Sequence, residues 1–504
     1  MISFKSKDKS SSPHEPIPKR IVICCDGTWQ NSATAKPNIP SNVTQICRSL
    51  ARTGHGVDGK VYQQIVFYDA GVGTGDLSST ERNSQGATGR GLNVNVIAAY
   101  NFLINNYTSG DELFFFGFSR GAYTTRAVAG LVCEMGILSP TEMHLFPELY
   151  TAHKKTSMDE TKLSVNDWWF KHAHHLKYTQ PREDVSVKAI GVWDTVAALG
   201  MPSERKKLSN KYKKQYLFHK TNIHPRIENA FQALALDERR SPFQPVVWYQ
   251  PESNTTTNLL QVWFPGVHLN VGGGDSDALL QKYKGDHEQM AHITLAWMLD
   301  CMAEFLNFDL AAAELALHAN DLGPSSRHGM GEVVNGARYA SGKIKDSFSG
   351  FIYWVLGSKP RTPGDYRDIS RPEILLKALG LTNEEIHPSV YCRQVGTNVG
   401  RRGKDSEKRM AKNRYAPVGL TDFRRVQQEV GWYWYRPQND RTACGSCKVG
   451  TSVELRLPEY VIPPKLGTKP SMERMLMEHE NASKRLLREL DAGNGLAVVR
   501  NDEN

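Results

Sequence analysis

A serine flanked by glycines follows an apolar run and has the setting of a nucleophile. Residues 113–116 are continuously apolar, and the pentapeptide GFSRG at 117–121 follows directly, ahead of a segment of helical character. A strand, a glycine-flanked serine and a helix in this order form a nucleophile elbow, which holds the serine hydroxyl above the sheet. Gly117 and Gly121 are then required because strand and helix pass too close for a Cβ atom. The pattern predicts Ser119 as the nucleophile, and a serine that only caps the helix is the alternative.

An aspartate and a histidine further along the chain complete such a site. Asp194 follows the apolar segment 185–193 directly, and His268 follows segment 259–264 through a Pro-Gly turn. Functional groups in open α/β sheets gather at the carboxyl ends of the strands, where both residues would fall. The chain order Ser119, Asp194, His268 is also that of the α/β hydrolases. A helix cap at Asp194 and a structural role for His268 are the alternatives when each residue is considered alone.

Acyl transfer at a serine also needs backbone donors for the developing oxyanion. The N–H group of Arg120, the residue after the predicted nucleophile, is the first expected donor. Segment 19–25 predicts a strand that ends at Asp26-Gly27-Thr28, and Gly27 or Thr28 would supply the second donor because glycine admits a close approach. A plain turn is the alternative at this position. The chemistry requires no metal ion and no organic cofactor.

Apolar segments and helical periodicities alternate over the first three fifths of the chain. Strands are predicted at 19–25, 64–68, 113–116, 185–193 and 259–264. Helices are predicted at 92–103, from Ser119 to Gly136, at 229–244 and at 287–305. Continuous apolar runs are typical of strands buried on both faces of a parallel sheet. The sequence therefore predicts an α/β, α/β-hydrolase-like fold with a mostly parallel sheet and helices on both faces. A last, amphipathic helix at 472–490 is expected to be solvated.

Composition sets the class of protein. The 504 residues suffice for one large α/β domain with additions or for two domains, and 40% hydrophobic and 23% charged residues are typical of a soluble globular protein. No apolar run is long enough to span a bilayer, and the polar residues 1–18 predict a disordered leader. Eight scattered cysteines favour a reducing compartment, so a cytoplasmic location is expected. Cys444 and Cys447 lack the second pair of a zinc ribbon, and no metal site is predicted.

Segment 205–220 is the most basic part of the chain and is interleaved with aromatic residues. One interpretation is a solvated helix face. The other is a cap segment between members of the triad that makes a peripheral contact with an anionic membrane. The net charge of +9 is modest for this length, and no nucleic-acid partner is predicted.

Several motifs taken together resemble the α/β-hydrolase domain family of unknown function that includes the phospholipase effectors of type VI secretion. The matching stretches are CDGTWQN from Cys25, DAGVGTG from Asp69, GDELFFFGFSRGAYTTR from Gly110, GVWDTVAALG from Gly191, ALALDERR from Ala233 and WFPGVHLNVGGG from Trp263, with fainter matches at RTPGDY from Arg361 and IHPSV from Ile386. The resemblance spans about residues 20–393 and implies a Ser–Asp–His triad at Ser119, Asp194 and His268.

Two positions depart from the family pattern. Leu269 and Asn270 stand where the family often has Ser-Asp, and Gln232 stands where a histidine is frequent. Neither departure removes a member of the implied triad. Both bear on substrate preference.

The residues and the resemblance together predict a serine hydrolase that cleaves a carboxylic ester, with a lipid or phospholipid acyl ester as the first substrate class. A hydrolase-fold module that binds a membrane or protein partner without turnover is one alternative, and a thioesterase or amidase is another. The expected organisation is a leader at 1–18, a catalytic core at 19–310 with cap insertions at about 143–181 and 200–230, an extension at 311–435 packed on the core, and a tail at 436–504 with a charged amphipathic helix. The sequence predicts no oligomeric state.

Overall fold

Continuous apolar segments form the interior strands of one large sheet. The chain is described by a computed structural model at residues 17–27, 39–71, 92–158, 165–172, 184–196, 221–274, 289–317, 339–344, 347–348, 357–368, 373–396, 415–428, 431–437, 455–466 and 469–478. Within these ranges, eight strands are ordered β2-β3-β1-β4-β5-β6-β7-β8. Their bounds are β1 Lys19–Cys25, β2 Thr53–His55, β3 Val61–Asp69, β4 Glu112–Phe118, β5 Val187–Trp193, β6 Ile227–Ala235, β7 Asn258–Phe264 and β8 Glu384–Ile386.

The sheet is parallel except at one edge. Strand β2 pairs antiparallel with β3, and every other neighbouring pair is parallel. In the central register Phe118 pairs with Trp193, and Trp193 pairs with Ala233. The residues that follow these strands therefore lie along one edge, where ligands of open α/β sheets bind. The predicted fold class, an α/β protein with a mostly parallel sheet, is confirmed.

Helices cover both faces of the sheet. Their bounds are α1 Asn42–Ser49, α2 Leu92–Asn106, α3 Ser119–Met135, α4 Phe146–Met158, α5 Val165–His172, α6 His268–Gly272, α7 Gln289–Met302, α8 Leu310–Leu317, α9 Ser389–Gly396 and α10 Met472–Glu478. Ile21 and Ile23 of β1 belong to a buried cluster that includes α2 and α3. Val22 and Cys24, which point the other way, belong to a second cluster with α1 and α7. The alternation along β1 places these two helix layers on opposite faces.

The C-terminal part of the chain returns to the sheet. Strand β8 adds parallel to β7, and a separate antiparallel sheet is formed by β9 Arg424–Gln428, β10 Gly431–Arg436 and β11 Leu455–Pro458. A two-stranded ladder joins β12 Lys465–Leu466 to β13 Lys469–Pro470. A third buried cluster combines Leu234 and Trp263 of the large sheet with Trp434 and Leu457. The described part of this extension is thus packed on the core.

One predicted helix is a strand. The pattern of segment 229–244 predicts a helix, but Ile227–Ala235 forms β6 between β5 and β7, and Ser241–Phe243 is a single 3-10 turn. All but one of the residues of β6 are buried. A strand covered on both faces shows no alternation of polar and apolar residues, so its pattern does not differ from that of a buried helix. The prediction of a helix here is wrong for that reason.

The C-terminal helix is not solvated where it is described. Helix α10 contains Glu473 and Met477, both fully buried, and it packs on α7. Asp300 of α7 accepts hydrogen bonds from the hydroxyl of Ser471 and from the backbone N–H of Met472. The charged composition of 472–490 predicts an exposed helix. The sequence does not indicate the buried contact, because Asp300 lies far from α10 in the chain.

Part of the first predicted cap insertion packs near the C-terminal end of α3. Its described residues form the end of a 3-10 turn and helices α4 and α5, and His153 of α4 lies 3.0 Å from Glu134 near the end of α3. An α-helix rises about 1.5 Å per residue, so Glu134 is about 22 Å along α3 from Ser119. His153 therefore packs at the end of α3 opposite to this serine.

Several expectations concern residues outside the described ranges. These are most of the leader 1–18, Thr28, the basic segment 205–220, and Cys444 and Cys447. Among the helices that the structure describes, none has the length and apolar character needed to cross a bilayer.

Candidate active site

Ser119 stands at the junction of β4 and α3. It is the first residue of α3, and its backbone φ is 59°, in the left-handed region that residues with a side chain rarely adopt. A Cβ on Gly117 would lie 2.5 Å from the backbone of α3, and a Cβ on Gly121 would collide with the carbonyl oxygens at the end of β1. Both positions leave no room for a side chain, because α3 passes closely over β4 and β1.

The structure brings Ser119, His268 and Asp194 together. The Oγ atom of Ser119 lies 2.7 Å from Nε2 of His268, and Nδ1 of the same ring lies 2.6 Å from Oδ2 of Asp194. An ionised carboxylate only accepts hydrogen bonds, so Nδ1 carries the proton and Nε2 is left to accept from the serine hydroxyl. This geometry suits the removal of the hydroxyl proton by the imidazole.

Asp194 follows β5 and is completely buried. Its Oδ1 accepts from the backbone N–H of Ala235 at 3.1 Å and from Nη1 of Arg361 at 3.1 Å, and its Oδ2 accepts from Nη2 of Arg361 at 2.9 Å as well as from His268. Burial opposes ionisation, but the charge of Arg361 and the hydrogen bond from His268 outweigh it. They hold the pKa of this carboxyl below its usual value. Asp194 is thus an ionised acceptor in a fixed orientation.

The imidazole of His268 is packed between aromatic rings. The ring of Phe118 lies 4.7 Å from it, and the ring of Phe243 contacts it edge-on at 5.0 Å between centroids. The backbone N–H of His268, at the start of α6, donates to Glu238. Burial lowers the pKa of His268 below 6.5, and the adjacent Asp194 only partly offsets this effect. The ring is therefore neutral at neutral pH, as a general base must be.

The two expected oxyanion donors occupy different positions. Arg120 is the second residue of α3, directly after Ser119. The N–H of Gly27 donates to Oδ1 of Asp26 at 2.7 Å, so an oxyanion would have to compete with that carboxylate. Asp26 itself is buried and accepts on Oδ2 from three hydroxyl groups, those of Ser41, Thr44 and Tyr68. The Asp26-Gly27 turn is therefore anchored beside the elbow, but its glycine amide is engaged.

The two departures from the family pattern have structural partners. Gln232 accepts from the hydroxyl of Thr195 at 2.6 Å and donates to Gln261 at 3.0 Å, within a buried polar network beside Asp194. Asn270 caps the start of α6, because its Oδ1 accepts from the N–H of Val267 at 3.1 Å. Both side chains stabilise the segments that carry the site.

Three residues that hold the site were not predicted from the sequence: Arg361, Glu238 and Phe243. Arg361 lies 167 residues from Asp194 in the chain, and no local pattern pairs them. The only available signal was the fainter motif RTPGDY, which begins at Arg361. Within 237–240, Glu238 forms an ion pair with Arg240, whereas Asp237 accepts from the N–H of Gly266.

A second serine–histidine–carboxylate set lies elsewhere and is closed to solvent. Oγ of Ser389 lies 2.7 Å from Nδ1 of His387, and Nε2 of that ring lies 2.7 Å from Oε1 of Glu473. All three residues are completely buried. No substrate can reach this serine, so the set joins α9 to α10 as a structural element. Within the described ranges, no group of three or more histidine, cysteine, aspartate or glutamate side chains could hold a metal ion.

Known proteins are similar to this chain in sequence and in structure. The chain is 25% identical over 252 residues to the uncharacterized protein YEL023C of Saccharomyces cerevisiae, a match that takes in 47% of this chain and 34% of the relative. The solved structure of the Tle1 effector bound to the VgrG spike from the type 6 secretion system is similar with a TM-score of 0.31 and 17% identity, over 54% of this chain and 55% of that one. An uncharacterized protein from Pseudomonas aeruginosa is similar with a TM-score of 0.36 and 17% identity, over 62% and 51% of the two chains.

The chain spans about a third of the yeast relative and about half of each solved chain. A family model described as "T6SS, Phospholipase effector Tle1-like, catalytic domain" matches residues 19–301, which include Ser119, Asp194 and His268. Since this match covers more than half of the 504 residues, the chain belongs to the family of type VI secretion phospholipase effector Tle1-like catalytic domains.

Proposed function

We propose that this chain is a serine hydrolase that cleaves a carboxylic ester through Ser119, His268 and Asp194. The observation that carries the proposal is the continuous series of contacts at 2.7 Å and 2.6 Å from the serine hydroxyl through the imidazole to the carboxylate. The positive φ of Ser119 at a strand–helix junction supports it, because this strained turn aims the hydroxyl at the sheet edge where substrates bind.

The reaction has two halves. In the first, Oγ of Ser119 attacks the ester carbonyl while Nε2 of His268 takes the hydroxyl proton and then gives it to the departing alcohol. In the second, His268 removes a proton from water, which attacks the acyl group on Ser119. The acyl–Oγ bond then breaks, His268 returns the proton to Oγ of Ser119, and the carboxylic acid is released. Asp194 stays ionised throughout and stabilises the imidazolium that forms in both halves. The backbone N–H of Arg120 is the proposed donor to the oxyanion.

A lipid or phospholipid acyl ester is the substrate class we propose first. Membership in a family described as phospholipase effectors supports it. Thioesters and amides are competing substrates because the same three residues could attack either bond. The basic segment 205–220 remains a predicted contact with an anionic membrane surface.

The proposal is tested with a fluorophosphonate probe, which reacts with activated serines. We expect the native protein to be labelled and Ser119→Ala to be neither labelled nor active, because only the attacking hydroxyl is removed. Ser389→Ala is the matched control, since Ser389 also contacts a histidine but is completely buried. It should label like the native protein.

A substrate panel then separates the remaining possibilities. Phospholipids, short acyl esters, thioesters and anilides would be compared at equal concentration. Labelling together with release of fatty acid from phospholipid supports the proposed substrate class. Faster turnover of thioesters or anilides would instead assign the protein to thioesterases or amidases. A native protein that binds vesicles but shows no labelling and no turnover would be an inactive binding module, and the proposal would be wrong.

A further inference from the structure

Arg361 enters the site from a part of the chain beyond the family match, which ends at residue 301. Its side chain is completely buried, and its guanidinium donates Nη1 to Oδ1 and Nη2 to Oδ2 of Asp194, at 3.1 Å and 2.9 Å. Such a two-point contact fixes the plane of the carboxylate as well as its distance. Asp194 therefore cannot turn away from His268 without breaking both bonds.

The same guanidinium also holds a wall of the site. Nη2 of Arg361 donates to the carbonyl oxygen of Phe243 at 2.7 Å, and the ring of Phe243 packs edge-on against the imidazole of His268. One side chain thus positions the acceptor of the imidazole proton and one of the rings that confine the imidazole.

Hydrogen bonds join the backbone near Arg361 to the segment 239–244, which contains Phe243. The N–H of Lys359 donates to the carbonyl of Arg239 at 2.8 Å, and Nε2 of Gln244 donates to the carbonyl of Lys359 at 2.8 Å. Gly419 packs against the carbonyl oxygen of Arg361 so closely that a Cβ there would lie 2.7 Å from it. Arg361 therefore lies in a segment that is restrained by hydrogen bonds and by close packing.

Charge is the second consequence of the contact. Burial would disfavour each charge alone. Here the carboxylates are those of Asp194 and Glu238 and the guanidinium groups are those of Arg240 and Arg361, so the fixed charges balance. In a site of low dielectric, a cation about 3 Å behind the carboxylate opposes the arrival of a further proton on the aspartate–histidine pair. The titratable and charged groups that face one another here are Asp194, His268, Glu238, Arg240, Arg361 and Tyr366.

We propose that Arg361 is a positioning residue of this site that also sets the proton affinity of the Asp194–His268 pair, so that the functional unit extends beyond residues 19–301. The proposal rests on the proposed hydrolase function for its effect on turnover. Its effect on proton affinity follows from the geometry alone.

The test compares Arg361→Met and Arg361→Lys with the native full-length chain. The readout that does not need turnover is the titration of the His268 ring by NMR, assigned with His268→Gln. Removal of the cation should raise the apparent pKa of the pair by about one unit. The acid limb of kcat/KM should move by the same amount, and kcat/KM should fall by roughly 10²-fold, less than the ~10⁴-fold lost when a triad aspartate becomes an amide.

Arg361→Lys keeps the charge but not the two-point contact. We expect the apparent pKa of the pair to stay near the native value while kcat falls by about tenfold. The control is Arg425→Met, because Arg425 also makes a two-point contact, to both carboxylate oxygens of Glu459 at 2.6 Å, but belongs to β9 of the separate antiparallel sheet. It should lose stability without moving the titration.

The outcomes distinguish the two proposals. A native protein that is not labelled by fluorophosphonate overturns the hydrolase function, while the His268 titration still decides the role of Arg361. An unchanged apparent pKa in Arg361→Met would show that the residue is merely structural. If Arg361→Met does not fold, native turnover in Arg361→Lys would overturn the positioning role.

Discussion

At the scale of single residues, the electrostatic surroundings of His268 determine the protonation state of its ring. Burial favours the neutral imidazole and lowers its pKa, while Asp194 at 2.6 Å favours the charged form and keeps the pKa from falling further. The guanidinium of Arg361 limits that second effect because it neutralises the carboxylate. The balance leaves the pKa of the ring below 6.5.

This balance predicts the pH profile of turnover. The base must be neutral to accept the serine proton, so activity is present above the pKa of His268 and is lost as the pH falls through it. Since that pKa is lowered, we expect the acid limb of kcat/KM to have its midpoint below 6.5, the usual value for histidine. The measurement is kcat/KM for an uncharged ester between pH 4 and 8, with circular dichroism to verify folding at each pH. A midpoint above 6.5 would contradict a pKa of His268 that is lowered by burial.

At the scale of secondary-structure elements, the elbow depends on how closely α3 crosses the ends of β4 and β1. Gly121 faces the carbonyl oxygens of Cys25 and Asp26, which belong to the backbone and cannot rotate away. Gly130, two and a half turns further along the same helix, has open space where a Cβ would be placed. One helix therefore carries one glycine required by packing and one that is not.

The two glycines make a matched pair of variants. We expect Gly121→Ala to lower the free energy of unfolding by about 1–3 kcal/mol, because the added methyl forces α3 away from β1. Gly130→Ala should be neutral or raise it by up to about 1 kcal/mol, since alanine has the higher helix propensity. Urea denaturation of both variants measures the difference. Equal effects would indicate that the close approach at Gly121 is not a constraint.

The elements also show what a sequence can and cannot indicate. Strands β1 and β4 and helix α3 were predictable because an unbroken apolar run, a glycine-flanked serine and a terminal glycine occur in order. Strand β6 was not, because its buried alanine and leucine residues carry no period of two, and alanine favours helices. Its strand conformation is imposed by β5 and β7, which bond to it on either side. Tertiary contacts override local preference there.

At the scale of the whole molecule, the site is assembled from positions that only the fold brings together. Ser119, Asp194 and His268 were predictable because each follows a strand, and the carboxyl ends of parallel strands share one edge. Arg361 was not, since the Thr-Pro-Gly sequence that follows it indicates only a turn. Buried ion pairs between distant segments leave no local pattern, so a sequence predicts polar groups at strand ends better than the groups that hold them.

The C-terminal helix is a second long-range contact of this kind. Asp300 of α7 accepts from the hydroxyl of Ser471 at 2.7 Å and from the N–H groups of Met472 and Glu473 at 2.7 Å and 3.1 Å, and so caps α10 from another helix. Glu473 is buried beside it. Burial, together with the neighbouring Glu473, raises the pKa of Asp300 to about 7, although the donors from α10 oppose this shift.

This contact predicts how the stability of the whole chain depends on pH. Because the pKa of Asp300 is raised by folding, the folded state holds a proton that the unfolded state has released between about pH 4 and 7. The free energy of unfolding should therefore fall as the pH rises through that window, and each unit of pKa difference corresponds to about 1.4 kcal/mol.

Asp300→Asn cannot ionise, so its stability should fall less than that of the native protein as the pH rises from 4 to 8. Asp309→Asn, which removes an exposed carboxylate that caps α8, is the control and should keep the native slope. Urea denaturation at each pH gives both curves, and parallel curves for Asp300→Asn and the native protein would mean that Asp300 is ionised in the folded state at all these pH values.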